Sequence, residues 1–186
     1  MSFERIGIMA RPGKFLYFAY GSNLLKERLQ MLNPSAEFVT VAKLQDYALE
    51  FRTYGNDPME SRWKGAPASI YQSLGACVWG CVWELRNEHK KTLDRQEGVH
   101  AHIYKPFEVN VISQHGQPLH CRTYMLNRSC DEFDARPSPQ YLDIIIRGAE
   151  QNQLPADYIA KLKAVEHNSY QGTVDIYNQI LQLLGS

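Results

Sequence analysis

Strand-like sequence dominates this chain as far as residue 127, and only helix-like sequence follows residue 137. That segregation limits the fold more than any other feature. Runs rich in Val, Ile, Phe, Tyr and Trp predict strands at 14–20, 37–43, 46–54, 66–71, 76–85, 103–113 and 119–127. Helical spacing predicts helices at 23–32, 87–97, 138–151, 155–166 and 170–184. The last of these puts Val174, Ile176, Tyr177, Ile180, Leu181 and Leu184 on about one face. Strands first and helices last do not make alternating β-α-β units. The order predicts an α+β domain or a small barrel wrapped by helices. With 186 residues the chain is expected to form one domain, 1–186, able to bury its core without disulfides. GNDPMESRWKG, 55–65, and DARPSP, 134–139, are the expected long loops.

The charge balance excludes several partners. Lys plus Arg number 20 and Asp plus Glu number 20, so the net charge is zero. Nucleic acid and anionic membranes select for a basic excess, so neither is expected. The N-terminal MSFERIGIMARPGK has no signal-like apolar stretch, and no segment reaches the length of a membrane span. A cytoplasmic location is the expectation. Cys77 and Cys81 fall on one predicted strand, about 13 Å apart, too far for a disulfide. Cys121 and Cys130 have no metal-ligand spacing, so all four cysteines are expected to be reduced and structural.

Two short stretches carry chemistry. In FLYFAYGSNLL a predicted strand gives way to a predicted helix through Gly21, Ser22 and Asn23. Such a join exposes backbone N–H groups at a helix start, and Gly21 admits a close ligand. Ser22 and Asn23 can cap the helix or bind a ligand, and the tetrapeptide alone is read as a cap ahead of a ligand site. The second Tyr-Gly pair, Tyr54-Gly55, precedes a polar loop and is expected to be only a turn. In NEHKKTLDRQEGV, Asn87 is an expected N-cap and Gly98 an expected C′ residue. Glu97 then sits in a last helical turn, where the helix dipole disfavours a carboxylate by about 0.3–1 kcal/mol. A raised pKa suits a general base that must later act as an acid, but many helices carry such a Glu on a solvated face, and alone the cue favours that reading. Asp94, one turn earlier, is the competing acid. His100 and His102 are expected as an exposed pair on a strand, with no third ligand to make a metal site. The chain has no P-loop, dinucleotide fingerprint, nucleophile elbow or zinc motif, so no cofactor and no metal are expected.

FLYFAYGSNL, VWGCVWEL, LDRQEGV and PSPQY, with NPSAEFVTVAKLQDY and LPADYIAKLKAVE, resemble the γ-glutamylcyclotransferases in order and spacing, from about Phe15 to Tyr170. The resemblance implies a mixed β-barrel flanked by helices, a homodimer, and a cofactor-independent lyase of glutathione metabolism. Its substrate would be a γ-glutamyl amino acid, converted to 5-oxoproline and a free amino acid. It also implies that Tyr17, Phe18, Ala19, Tyr20, Gly21, Ser22 and Asn23 form the substrate loop. Glu97 would be the catalytic acid/base, and Tyr104 and Tyr141 would contact substrate. The chain departs from the family pattern at His100-Ala101-His102, in the 55–65 loop and in a C-terminus ending at Ser186. The rivals are a cyclotransferase for γ-glutamylamines or glutathione, and a non-catalytic binding relative.

Overall fold

The computed structural model describes residues 7–55, 57–127 and 132–185. Among the described residues there are five strands: β1 (Lys14–Ala19), β2 (Glu37–Phe51), β3 (Ala68–Arg86), β4 (Tyr104–Ser113) and β5 (Pro118–Leu126). They close into a barrel in the order β1-β3-β2-β4-β5. Every pairing is antiparallel except β1 with β5, which is parallel at Tyr17 and Arg122. The barrel is therefore mixed. Around it lie helices α1 (Lys26–Gln30), α2 (Lys90–Gln96), α3 (Pro139–Gln151), α4 (Ala156–Lys163) and α5 (Asp175–Leu184).

Seven expected strands become five because two breaks are bulges. The 37–43 and 46–54 runs are one strand, β2, and 66–71 and 76–85 are one strand, β3. Between Gln45 and Tyr47 the register shifts, and Asp46 takes a positive φ of 63°. The Asp46 side chain accepts the Gly75 N–H at 2.9 Å, tying the two irregular points together. A bulge absorbs a polar interruption without ending the ladder.

The helices also differ in extent. The expected helix at 23–32 is a 3₁₀ turn, Ser22–Leu24, followed by the five-residue α1. The last helix starts at Asp175 instead of 170, and it buries Ile180 with Val174 just before it. His100 and His102 are exposed but not on a strand, because Val99–Ala101 form a 3₁₀ turn and His102 is left-handed. The 55–65 loop contains a short 3₁₀ turn at Pro58–Glu60.

The core fills the barrel and runs out under the helices. Phe18, Leu85, Val82 and Trp83 are almost fully buried, as are Leu24 and Ile144 outside the strands. Each such side chain contributes roughly 1.5–3 kcal/mol by leaving water. Cys77, Cys81 and Cys121 are unpaired thiols, the latter two buried; Cys130 lies outside the described residues.

One end of the barrel is clasped by charge. Glu84 of β3 is buried and accepts from the Arg11 backbone N–H at 2.8 Å and from Arg11 Nε at 2.6 Å, with Lys14 Nζ 3.2 Å away. Burial alone would raise the Glu84 pKa, but these donors outweigh it and hold it down at about 2. The stabilisation is complete above the ordinary carboxylate pKa of 4.5 and is lost as pH falls toward 2. Melting temperature should therefore decline between pH 4.5 and 2, and Glu84→Gln should flatten that decline. An unchanged slope in the variant would assign the acid sensitivity elsewhere.

Candidate active site

The segment after β1 is built by local rules. Leu24 and Leu25 N–H groups bond back to the Gly21 and Ser22 carbonyls at 3.0 and 3.2 Å, closing the 3₁₀ turn. No side chain caps this turn, contrary to the reading of the tetrapeptide alone. Asn23 is instead turned inward and buried. Its Nδ2 donates to Tyr17 Oη at 3.1 Å and to Glu97 Oε1 at 3.0 Å. Its Oδ1 accepts from Gln96 Nε2 at 2.9 Å, and Gln96 Oε1 accepts from Asn33 Nδ2 at 2.9 Å. With Oδ1 engaged, the amide has only one orientation, and its donors must face Tyr17 and Glu97.

Glu97 is placed by the end of α2. It is the C-cap residue, and Gly98 follows with φ 68°, the left-handed conformation that stops a helix. Asn87 supplies no side-chain cap; a 3₁₀ turn leads into α2 instead. Burial raises the Glu97 pKa, opposed by Arg62, Arg28 and the Asn23 hydrogen bond. Loss of water is the leading cause, larger than any single neighbouring charge. Asp94 is engaged otherwise: its Oδ1 accepts from Arg122 Nη2 at 2.7 Å and Tyr124 Oη at 2.6 Å.

Tyr141 is positioned by PSPQY. Ser138 is the N-cap of α3 and accepts the Tyr141 N–H at 3.1 Å, while Pro139 occupies the first turn, where no N–H is needed. The Tyr141 hydroxyl accepts the Ala68 N–H at 3.1 Å, and the Tyr104 hydroxyl donates to the Ala68 carbonyl. Both tyrosines are thus fixed on one residue of β3, Ala68. Trp63 lies against Tyr141 with ring centroids 4.8 Å apart.

Two cavities meet here. The inner one, about 40 Å³, is lined by Tyr17, Tyr20, Gly21, Ser22, Asn23 and Ala68, and it reaches Glu97. The outer one, about 370 Å³, takes in Arg28, Arg62, Trp63 and Arg95. Ser22, Glu97, Tyr104 and Tyr141 border both. A Cβ on Gly21 would sit 3.4 Å from the Tyr141 hydroxyl, taking up space at this junction.

Eight of the ten expected site residues therefore converge on one place. Phe18 and Ala19 are buried in β1, and their side chains border neither cavity. The histidines divide, with His100 on the outer cavity wall and His102 absent from it. Tyr54, expected only in a turn, borders the outer cavity too. Sequence reasoning missed Gln96, Asn33, Arg28 and Arg62. Gln96 lies beside Glu97 in the quoted motif, but nothing in its position marks it as buried. Arg28 reads as the charged face of an ordinary helix.

A mixed barrel with a half-buried carboxylate beside a Tyr-Gly-Ser turn defines the class, and comparison with known proteins agrees. Residues 77–162 match the model of the AIG2-like family. The chain belongs to the γ-glutamylcyclotransferase family. It is 46% identical over 160 residues to a mouse protein named gamma-glutamylcyclotransferase, covering 86% of this chain and 83% of that one. The human protein of that name is 47% identical over the same coverage. A solved structure named gamma-glutamyl cyclotransferase superposes with a TM-score of 0.84 at 44% identity, covering 91% of this chain and 99% of that one. The fold extends to YkqA of Bacillus subtilis, with a TM-score of 0.68 at 24% identity over 83% of this chain and 56% of that one.

Proposed function

We propose that this chain is a γ-glutamylcyclotransferase, a lyase that releases an amino acid from a γ-glutamyl amino acid and leaves 5-oxoproline. The observation that carries the proposal is the Asn23–Glu97 hydrogen bond at the junction of the two cavities. It sets a desolvated carboxylate against the Gly21–Ser22 turn.

The chemistry needs neither water nor an enzyme nucleophile. The substrate's own α-amine attacks its γ-carbonyl, the five-membered ring closes, and the amide C–N bond breaks. The enzyme must hold the folded conformer and move protons, since the α-ammonium gives up two in becoming the ring N–H and the departing nitrogen gains two to leave as an ammonium. Glu97 takes the first from the α-ammonium as the C–N bond of the ring forms and gives it to the departing nitrogen. It relays the second in the same way once the ring nitrogen is acylated, so the carboxylate ends as it began. A pKa raised by burial suits both halves of that duty. The inner cavity accommodates the glutamyl half, with Gly21 leaving the necessary space. Tyr104 and Tyr141 form the walls where the ring closes. Asn23 keeps Glu97 aimed, and Gln96 keeps Asn23 aimed.

Glutathione metabolism, a cytoplasmic location and homodimerisation belong to the same proposal. No helix among the described residues is long and apolar enough to cross a membrane. The direct test is release of 5-oxoproline from γ-glutamyl-L-alanine, glutathione and γ-glutamyl-ε-lysine by the purified chain. Turnover of the first above the other two is the expected result. A preference for either of the others would replace the proposed substrate class, and no release from any would end the proposal.

A further inference from the structure

Arg28 stands apart from every other cation among the described residues. It is 1% exposed, yet its guanidinium has no hydrogen-bond or ion-pair partner among the described residues. Its Nε is buried without an acceptor, and its carbon end lies 6.0 Å from the Trp63 ring centroid. The residue borders the outer cavity and not the inner one. Glu97 attracts it through space but makes no hydrogen bond or ion pair with it, and a cation taken out of water with so little compensation calls for a closer partner. Burial lowers its pKa only to about 10, so it remains cationic at neutral pH. The fitting partner is an anion held in the cavity, for which a guanidinium is the matching planar donor.

The proposed substrate has two carboxylates, one on each half. The inner cavity beside Glu97 has no cation in its lining and is the smaller space. The outer cavity has Arg28, and also Arg62, whose Nη2 is anchored on the Gln96 carbonyl at 3.2 Å. We propose that Arg28 binds the α-carboxylate of the departing amino acid and thereby selects γ-glutamyl amino acids over γ-glutamylamines. This rests on the cyclotransferase reading above. Arg28 touches the substrate away from the reacting atoms and acts on choice of substrate, not on the proton transfer.

The test compares γ-glutamyl-L-alanine with γ-glutamylethylamine, which differ only by the acceptor carboxylate. The wild-type chain should favour the dipeptide in kcat/KM on the order of 100-fold, since a site built around a charged group rejects a ligand that lacks it. In Arg28→Gln the dipeptide should lose most of that advantage while the amine changes only a few-fold. Arg28→Lys keeps the charge without the planar fork, and should lose about 10-fold on the dipeptide alone. It carries the test if Arg28→Gln does not fold. Equal turnover of both compounds by the wild-type chain would overturn the proposal. So would a parallel loss of both in the variants, which would move Arg28 to the glutamyl half or to the fold. If the wild-type chain releases 5-oxoproline from neither, the cyclotransferase reading fails. Calorimetric binding of the two compounds to the wild-type chain then still tests Arg28, with equal affinities overturning the assignment.

Discussion

Glu97→Gln should yield a folded protein whose 5-oxoproline production from a γ-glutamyl dipeptide falls by about 10²–10⁴-fold, the usual contribution of a general acid/base. Gln fills the same space and can still accept the Asn23 Nδ2 hydrogen bond, so the local network survives. It cannot take a proton from the α-ammonium. The loss should therefore lie in kcat, with little change in KM. Stability should move the other way. The Glu97 pKa is raised in the folded state, so its protonated form is the one the fold favours. That contribution is complete below the unfolded carboxylate pKa and is lost as pH rises through the higher, folded value. Gln mimics the protonated form at every pH. The variant should melt above the wild type at neutral pH, with the difference vanishing below about pH 4. In the wild-type enzyme the acid limb of kcat/KM should lie above an ordinary glutamate's pKa. Near-normal turnover in Glu97→Gln would remove this residue from the chemistry. Asp94 would be a poor replacement, since Arg122 and Tyr124 hold its carboxylate and it borders neither cavity.

Sequence reasoning located Glu97 through the resemblance carried by LDRQEGV; a carboxylate one residue before Gly98 contradicts the helix dipole, but that cue is local and alone favours an ordinary solvated Glu. The leading cause of its raised pKa in the structure is loss of water on burial. Burial is a property of the assembled barrel and leaves no mark in NEHKKTLDRQEGV. The same limit explains Asn23. Ser22 and Asn23 alone read as caps ahead of ligands, and only the positions of Gln96 and Tyr17 turn Asn23 into the link between turn and acid. Arg28 was the least legible. Its neighbours Lys26, Glu27 and Gln30 give α1 a solvated pattern, while Arg28 is the residue that points inward beneath Trp63. The strands were legible wherever apolar residues continued. They were miscounted where polar residues at Gln45-Asp46 and Gln72-Ser73 interrupt runs that a bulge carries through. The parallel contact of β1 with β5 closes the barrel between residues 105 apart in sequence, beyond the reach of any local pattern.

Gly148→Ala should be destabilising even though alanine is the better helix former by nearly 1 kcal/mol. The reason is contact. A Cβ at this position of α3 would lie 2.4 Å from the Leu25 backbone nitrogen and 2.6 Å from the Leu24 carbonyl carbon. These are backbone atoms, so no side-chain rotation relieves the overlap; helix and turn must separate by about 1 Å. Asn152 Nδ2 on the Leu24 carbonyl at 2.7 Å and Gln151 Oε1 on the Lys26 N–H at 3.0 Å resist that separation. Overpacking of this kind costs about 1–3 kcal/mol, which exceeds or cancels the propensity gain. At about 2–4 °C per kcal/mol for a chain of this size, the melting temperature should fall by a few degrees. Activity should fall further than stability. The displaced helix carries Tyr141, and the displaced turn carries Gly21, Ser22 and Asn23, so the two walls of the inner cavity move apart. A misplacement of 1 Å at a reacting centre can cost about 10²-fold in rate. Glu150→Ala on the same helix is the control, because it removes only an exposed ion pair with Lys163 and should leave both readouts nearly unchanged. Full activity in Gly148→Ala, with or without a lower melting temperature, would mean that the spacing of α3 from the Gly21–Leu24 turn does not set the geometry of the reaction.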